Sequence, residues 1–112
     1  MHAPLTLEKR VLLRAAELLR ERGHCKGTLW DGEGHLCAVG ALILARVELK
    51  TGTNPRMDIY CKVVENAMKL VVEKRPDIDT GGSVNNSVVE WNNEFERTGE
   101  EVAAAFEQAA LT

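Results

Sequence analysis

Aromatic residues are scarce in this sequence, with two tryptophans, two phenylalanines and one tyrosine among 112 residues. A chain so poor in large rings has few candidates for core anchors, and Trp30 and Trp91 stand out. The signatures of several common chemistries are missing as well. There is no GxGxxG, no CxxC, and no glycine-rich loop followed by lysine and serine or threonine, so dinucleotide binding, dithiol redox chemistry and a phosphate loop all lack their motif. Gly81-Gly82-Ser83 is too short to serve as one. No basic block occurs either: 14 Lys and Arg are interspersed with 17 Asp and Glu, for a net charge of −3, which disfavours nucleic acid as a partner. The longest nearly uncharged run, Leu36 to Ala45, is about half of the roughly 20 residues that a membrane-spanning helix needs. It predicts a buried helix rather than an anchor.

What is present is enough for one core. A content of 45% apolar residues in 112 predicts a single domain over 1–112. The first apolar stretch is broken by Glu8, Lys9, Arg10 and Arg14, unlike a secretory leader. The cysteines, Cys25, Cys37 and Cys61, form an odd set. Together these features predict a cytoplasmic protein with free thiols.

Periodicity predicts a mainly α-helical bundle of four to five helices, with one small β-hairpin between the first and second. From Thr6 to Arg22, Val11, Leu12, Ala15, Leu18 and Leu19 recur at helical spacing, with Thr6 as cap and Gly23 as stop. In Gly27 to Cys37, Asp31-Gly32 and Gly34 are turn residues between two short stretches that pair as a hairpin, with Trp30 as the inward anchor. The second helix, Leu36 to Glu48, is apolar nearly all round and suits the centre of the bundle. Gly40 within it lowers helix propensity by about 1 kcal/mol relative to alanine, which predicts close backbone approach by a neighbour.

Thr51 to Pro55 reads as a loop. A third helix, Arg56 to Lys74, carries Tyr60, Val63, Val64, Ala67 and Val71 inward and the pairs Asp58/Lys62 and Glu65/Lys69 outward, and Arg75-Pro76 ends it. Asp77 to Ser83 reads as an exposed, mobile loop. Val84, Val88 and Trp91 share one face of a short helix that Asn92-Asn93 terminates. Thr98-Gly-Glu-Glu101 is a capping box opening a last helix, whose stripe is Val102, Ala105, Phe106 and Ala109.

The first helix leading into Gly23-His-Cys-Lys-Gly27, then Asp31 and Gly34, the block Cys37-Ala-Val-Gly-Ala-Leu42, and finally Val89-Glu-Trp-Asn92 with Arg97-Thr98 and Glu101-Val102 carry a resemblance. In these motifs the chain resembles an uncharacterised domain family of actinobacteria, other bacteria and their phages, mycobacteriophages included. The resemblance spans most of the chain and implies a shared fold and a bacterial or phage setting; it implies no reaction. Two positions depart from the family pattern, which has an aromatic near His24 and aspartate in place of Asn93.

Three constellations invite a chemical reading. Cys37 in the first turn of a helix would meet exposed N–H groups that lower a thiol pKa, making it a nucleophile with His35 or His24 as base. The plainer alternative is a small buried hydrophobe. His24, Cys25, His35 and Cys37 have zinc-ligand chemistry without a recognised spacing, and neither a metal nor a cofactor is expected. Asp31, Trp91, Asn92 and Arg97 would line a pocket or a partner surface, or else set a turn, fill the core, cap a helix end and bond carbonyls. The function expected from the whole is a non-enzymatic protein-interaction module, monomeric or homodimeric, acting on a host or phage protein; the alternative is a small cysteine-dependent hydrolase or transferase.

Overall fold

The computed structural model describes residues 5–49 and 62–111. Among these residues five helices form: α1 (Leu7–Arg22), α2 (Ala38–Leu49), α3 (Lys62–Lys74), α4 (Val84–Asn93) and α5 (Gly99–Leu111). None is long and apolar enough to cross a membrane. The expected loop Thr51 to Pro55, Cys61, and the start of the third helix with Tyr60 and Asp58 lie outside the described residues.

The helix ends follow from local chemistry. The Thr6 hydroxyl accepts from the Lys9 N–H at 3.2 Å, and Gly23, at φ +91°, donates its N–H to the Leu19 carbonyl at 2.9 Å. At α5 the expected capping box forms, with the Glu101 N–H donating to the Thr98 hydroxyl at 3.1 Å. α3 ends at Lys74, just before Arg75-Pro76, and the expected Glu65/Lys69 pair closes at 3.3 Å.

α1 packs most extensively on α5 and α2, while α3 touches α1, α2, α4 and α5. Val11, Leu12, Ala15 and Leu18 of α1, Leu42 and Ile43 of α2, Val64 and Val71 of α3, Val88 of α4, and Val102 and Phe106 of α5 are all wholly buried. Outside this core, Arg20 clamps α1 to α5: its guanidinium reaches Glu100 at 2.8 Å and Glu107 at 2.7 Å.

The connector between α1 and α2 differs from the expected hairpin. The turn forms, with Gly34 N–H donating to the Asp31 carbonyl at 3.3 Å and Asp31 N–H to that of His35 at 3.1 Å. Among the described residues, however, the flanking stretches make only isolated bridges, parallel between His24 and Leu36 and antiparallel between Trp30 and Leu36. A ribbon of this length gains too few ladder bonds to persist as two strands. Leu36, 2% exposed, is the inward anchor, and Trp30 is turned outward at 43% exposed. That corrects the expected inward tryptophan: the single bridging position carries leucine to the core side, and the indole is left on the outside.

The loop from Asp77 to Ser83 is also only partly as expected. Ile78 is buried at 5% exposure and anchors it to the core, while Asp77 and the residues from 79 to 83 lie exposed.

Gly40 has the close neighbour its position predicts. The Leu29 carbonyl lies over the helix there, where it accepts the Cys37 N–H at 2.9 Å, and a Cβ on Gly40 would sit 2.0 Å from the Leu29 oxygen. No side-chain rotation relieves a clash with backbone. Gly40→Ala is therefore expected to destabilise the protein by about 3 kcal/mol or more, through overpacking and the strained Cys37–Leu29 bond. Urea denaturation checks this, and a loss under about 1 kcal/mol would contradict the close approach.

Candidate functional site

The first turn of α2 leaves backbone N–H groups that the helix itself cannot satisfy. Three of them find different acceptors. Cys37, just ahead of the helix, donates to the Leu29 carbonyl; Ala38 donates to the carboxamide oxygen of Asn92 at 2.9 Å; and Gly40 donates to the Cys37 sulfur at 3.3 Å. Cys37 thus stands at the N-cap, its Sγ in the place a serine or aspartate oxygen usually takes. It lies one residue before the helix, not within it.

Asn92 is the hub of this region and is wholly buried. Its Oδ1 accepts from Ala38 and lies 2.7 Å from His24 Nε2, while its Nδ2 donates to the Cys25 carbonyl at 3.2 Å and to Asn93 Oδ1 at 3.0 Å. The backbone partners fix the orientation: an N–H can only face oxygen and a carbonyl can only face nitrogen. His24 therefore carries a proton on Nε2. Asn93 Oδ1 also accepts the Gly27 N–H at 3.0 Å. Both contacts use Asn93 as an acceptor, a role that an aspartate carboxylate could also fill. Lys26 completes the joint by donating to the carbonyls of Glu94 and Phe95 at the end of α4.

The Cys37 thiol sits deep within this geometry. The thiol is 3% exposed, and burial pushes its pKa up despite the donated N–H groups. Cys25 is likewise pushed up, by burial first and by its proximity to Cys37 next. The two imidazoles bond other side chains. His24 is engaged by Asn92, and His35 Nδ1 lies 2.7 Å from Asp31 Oδ2. Among the described residues no group of three or more His, Cys, Asp or Glu side chains could hold a metal ion.

Asp31, Trp91, Asn92 and Arg97 each have their own contacts. Asp31 organises the connector turn: Oδ1 accepts the N–H groups of Glu33 and His35, each at 2.9 Å, and Oδ2 meets the His35 ring. The His35 bond, aided by those two N–H groups, holds the Asp31 carboxyl below its ordinary range. Trp91, 1% exposed, fills the core and donates Nε1–H to Asp77 at 3.3 Å. Its ring is covered by Arg97, whose guanidinium carbon lies 4.7 Å from the centroid, and by Arg75 at 5.6 Å. Arg97 bonds the Trp91 carbonyl at 3.2 Å and Glu101 at 2.8 Å. Asn92 caps the start of α2, not the end of its own helix.

Two features escape sequence reasoning. Arg46, in the last turn of α2, is 5% exposed, and among the described residues its Nε and Nη1 have no hydrogen-bond partner. Its spacing from Val39, Leu42 and Ile43, at i−7, i−4 and i−3, was the available signal, since those positions share one helical face. The second is an open, largely apolar groove of about 290 Å³ with Leu36, Ile43 and Leu44 in its lining, Trp30 exposed beside them, and Arg22 and Asp31 as its charged residues.

The lowered carboxyls set the acid response. The hydrogen bond to Arg75 holds the Asp77 carboxyl low in the same way that His35 holds Asp31. A carboxyl whose folded pKa lies below its unfolded value, about 3.9 for aspartate, adds stability that is complete above that value and vanishes as pH falls through the folded pKa. The urea midpoint is therefore expected to hold down to about pH 4 and to fall below it, and Asp31→Asn is expected to fall less steeply there. Equal slopes in the two proteins would contradict the Asp31–His35 assignment.

No curated protein and no solved structure matches the chain. A family model does, over residues 4–112, a span that includes every motif of the connector, the N-cap of α2 and the Asn92 joint. The chain accordingly belongs to DUF6197, a family of unknown function.

Proposed function

We propose that this domain is a non-enzymatic interaction module that holds a protein partner against the connector between α1 and α2, with Trp30 at the centre of the contact. One observation carries the reading: the indole of Trp30 is 43% exposed beside an apolar groove, in a chain where only 4% of residues are aromatic. Tryptophan and arginine are the side chains in which protein interfaces concentrate their binding energy. Trp30 and Arg22 meet at this one groove.

The chemistry that would compete with this reading is occupied elsewhere. Cys37 caps a helix, His24 bonds Asn92 and His35 bonds Asp31, which weighs against a cysteine-dependent hydrolase or transferase. The loop from Asp77 to Ser83 offers a partner little, because its one large apolar side chain, Ile78, is turned into the core. The setting we propose is the one the sequence motifs imply, a phage or bacterial protein acting in the cytoplasm on a host or phage protein, as a monomer or homodimer.

Affinity capture from a mycobacterial lysate, run in parallel with wild type and Trp30→Ala, tests the reading. Trp30 contributes nothing to the buried core, so the variant is expected to fold with an unchanged circular dichroism spectrum and to lose at least about tenfold of the captured partner, as a central interface tryptophan does. Equal capture by the two proteins would remove Trp30 from the interface. Turnover of a defined substrate, abolished by a point change outside the core, would overturn the non-enzymatic assignment.

A further inference from the structure

The groove beside Trp30 states what its partner presents. Its apolar surface is that of Trp30 and Leu44, which matches hydrocarbon, over a floor of buried Leu36 and Ile43, and its volume is about 290 Å³. That is room for one projecting apolar side chain. The two charged residues at the groove are in different states. The carboxylate of Asp31 is already spent, on His35 and on two backbone N–H groups. The guanidinium of Arg22, exposed on the last residue of α1, has no hydrogen bond or ion pair among the described residues. The other arginine near that end of α1 is committed, since Arg20 is held by Glu100 and Glu107. The charge the groove still has to offer is therefore positive, on a planar fork that suits a carboxylate.

Resting on the reading of the groove as the partner surface, we infer that it receives a protein segment with a leucine-like side chain directly beside a carboxylate, the side chain seated between Trp30 and Leu44 and the carboxylate paired with Arg22. The partner presents a C-terminal apolar residue, in which side chain and carboxylate stand on the same Cα.

Two fragments that differ only in charge test this on the intact protein. ¹⁵N-labelled protein is titrated with N-acetyl-leucine and, separately, with N-acetyl-leucinamide, following the Trp30 indole N–H and the amides of Leu36, Ile43 and Leu44. The acid is expected to shift these signals saturably, with a Kd on the order of millimolar for a fragment so small, and the amide to bind about fivefold more weakly, as an exposed guanidinium–carboxylate pair allows. Arg22→Gln, at an exposed position without partners, is expected to fold normally and to abolish the preference for acid over amide. Equal binding of acid and amide to wild type, or no saturable shift of the groove signals with either, would overturn the inference. If the fragments fail while capture of a partner still depends on Trp30, the groove remains an interface and the stated chemistry falls. If capture is independent of Trp30, the interface reading itself falls.

Discussion

A carboxamide buried in a helical core has to satisfy two donors and an oxygen at once, because each capacity left unmet costs about 1–3 kcal/mol in desolvation. Asn92 meets all of them on three separate pieces of chain: its oxygen faces Ala38 and His24, and its nitrogen faces the Cys25 carbonyl and Asn93. Helix α4, the start of α2 and the connector are thereby tied at one point. Much of the local architecture is a condition for that joint to close. Gly40 must lack a Cβ so that Leu29 can lie over the first turn of α2, and Gly99 must lack one so that the backbone at His24 can pass the start of α5, where a Cβ would stand 2.6 Å from that of His24.

The same joint engages the residues with the most suggestive chemistry. A thiol at a helix N-terminus is ordinarily a candidate for activation, yet Cys37 spends its sulfur on the Gly40 N–H and lies under the connector, where burial outweighs the helix field. His24 and His35 are each within one bond of reactive-looking company and are each held by an acceptor, Asn92 or Asp31. On the outside of the connector lie the half-exposed indole of Trp30, an apolar groove and the guanidinium of Arg22.

How legible this was depends on the range of each interaction. Thr6, Gly23 and the Thr98–Glu101 box act within four residues, so α1 and α5 could be read from the sequence with their ends, and so could the close approach at Gly40, because glycine in an apolar helix needs a neighbour to justify it. The hairpin could not be settled, since strand alternation over two or three residues does not distinguish a ladder from a single bridge, and it misassigned the inward position to Trp30 instead of Leu36. Asn92 was visible as a motif residue, but the amide it caps is 54 positions away, and nothing local separates an asparagine that ends its own helix from one that starts another. Arg46 was hidden by its surroundings, one charge in a run otherwise apolar.

The most direct test of the central claim is native-state hydrogen exchange of the Ala38 amide, compared between wild type and Asn92→Leu. If the carboxamide of Asn92 holds the start of α2, this amide exchanges in wild type as slowly as the interior of α1, and in the variant its protection falls by about tenfold or more relative to α1, as expected for the loss of a bond worth over 1 kcal/mol. An Ala38 amide that exchanges in wild type as fast as the exposed residues of the connector, or whose protection relative to α1 is the same in both proteins, would contradict the account.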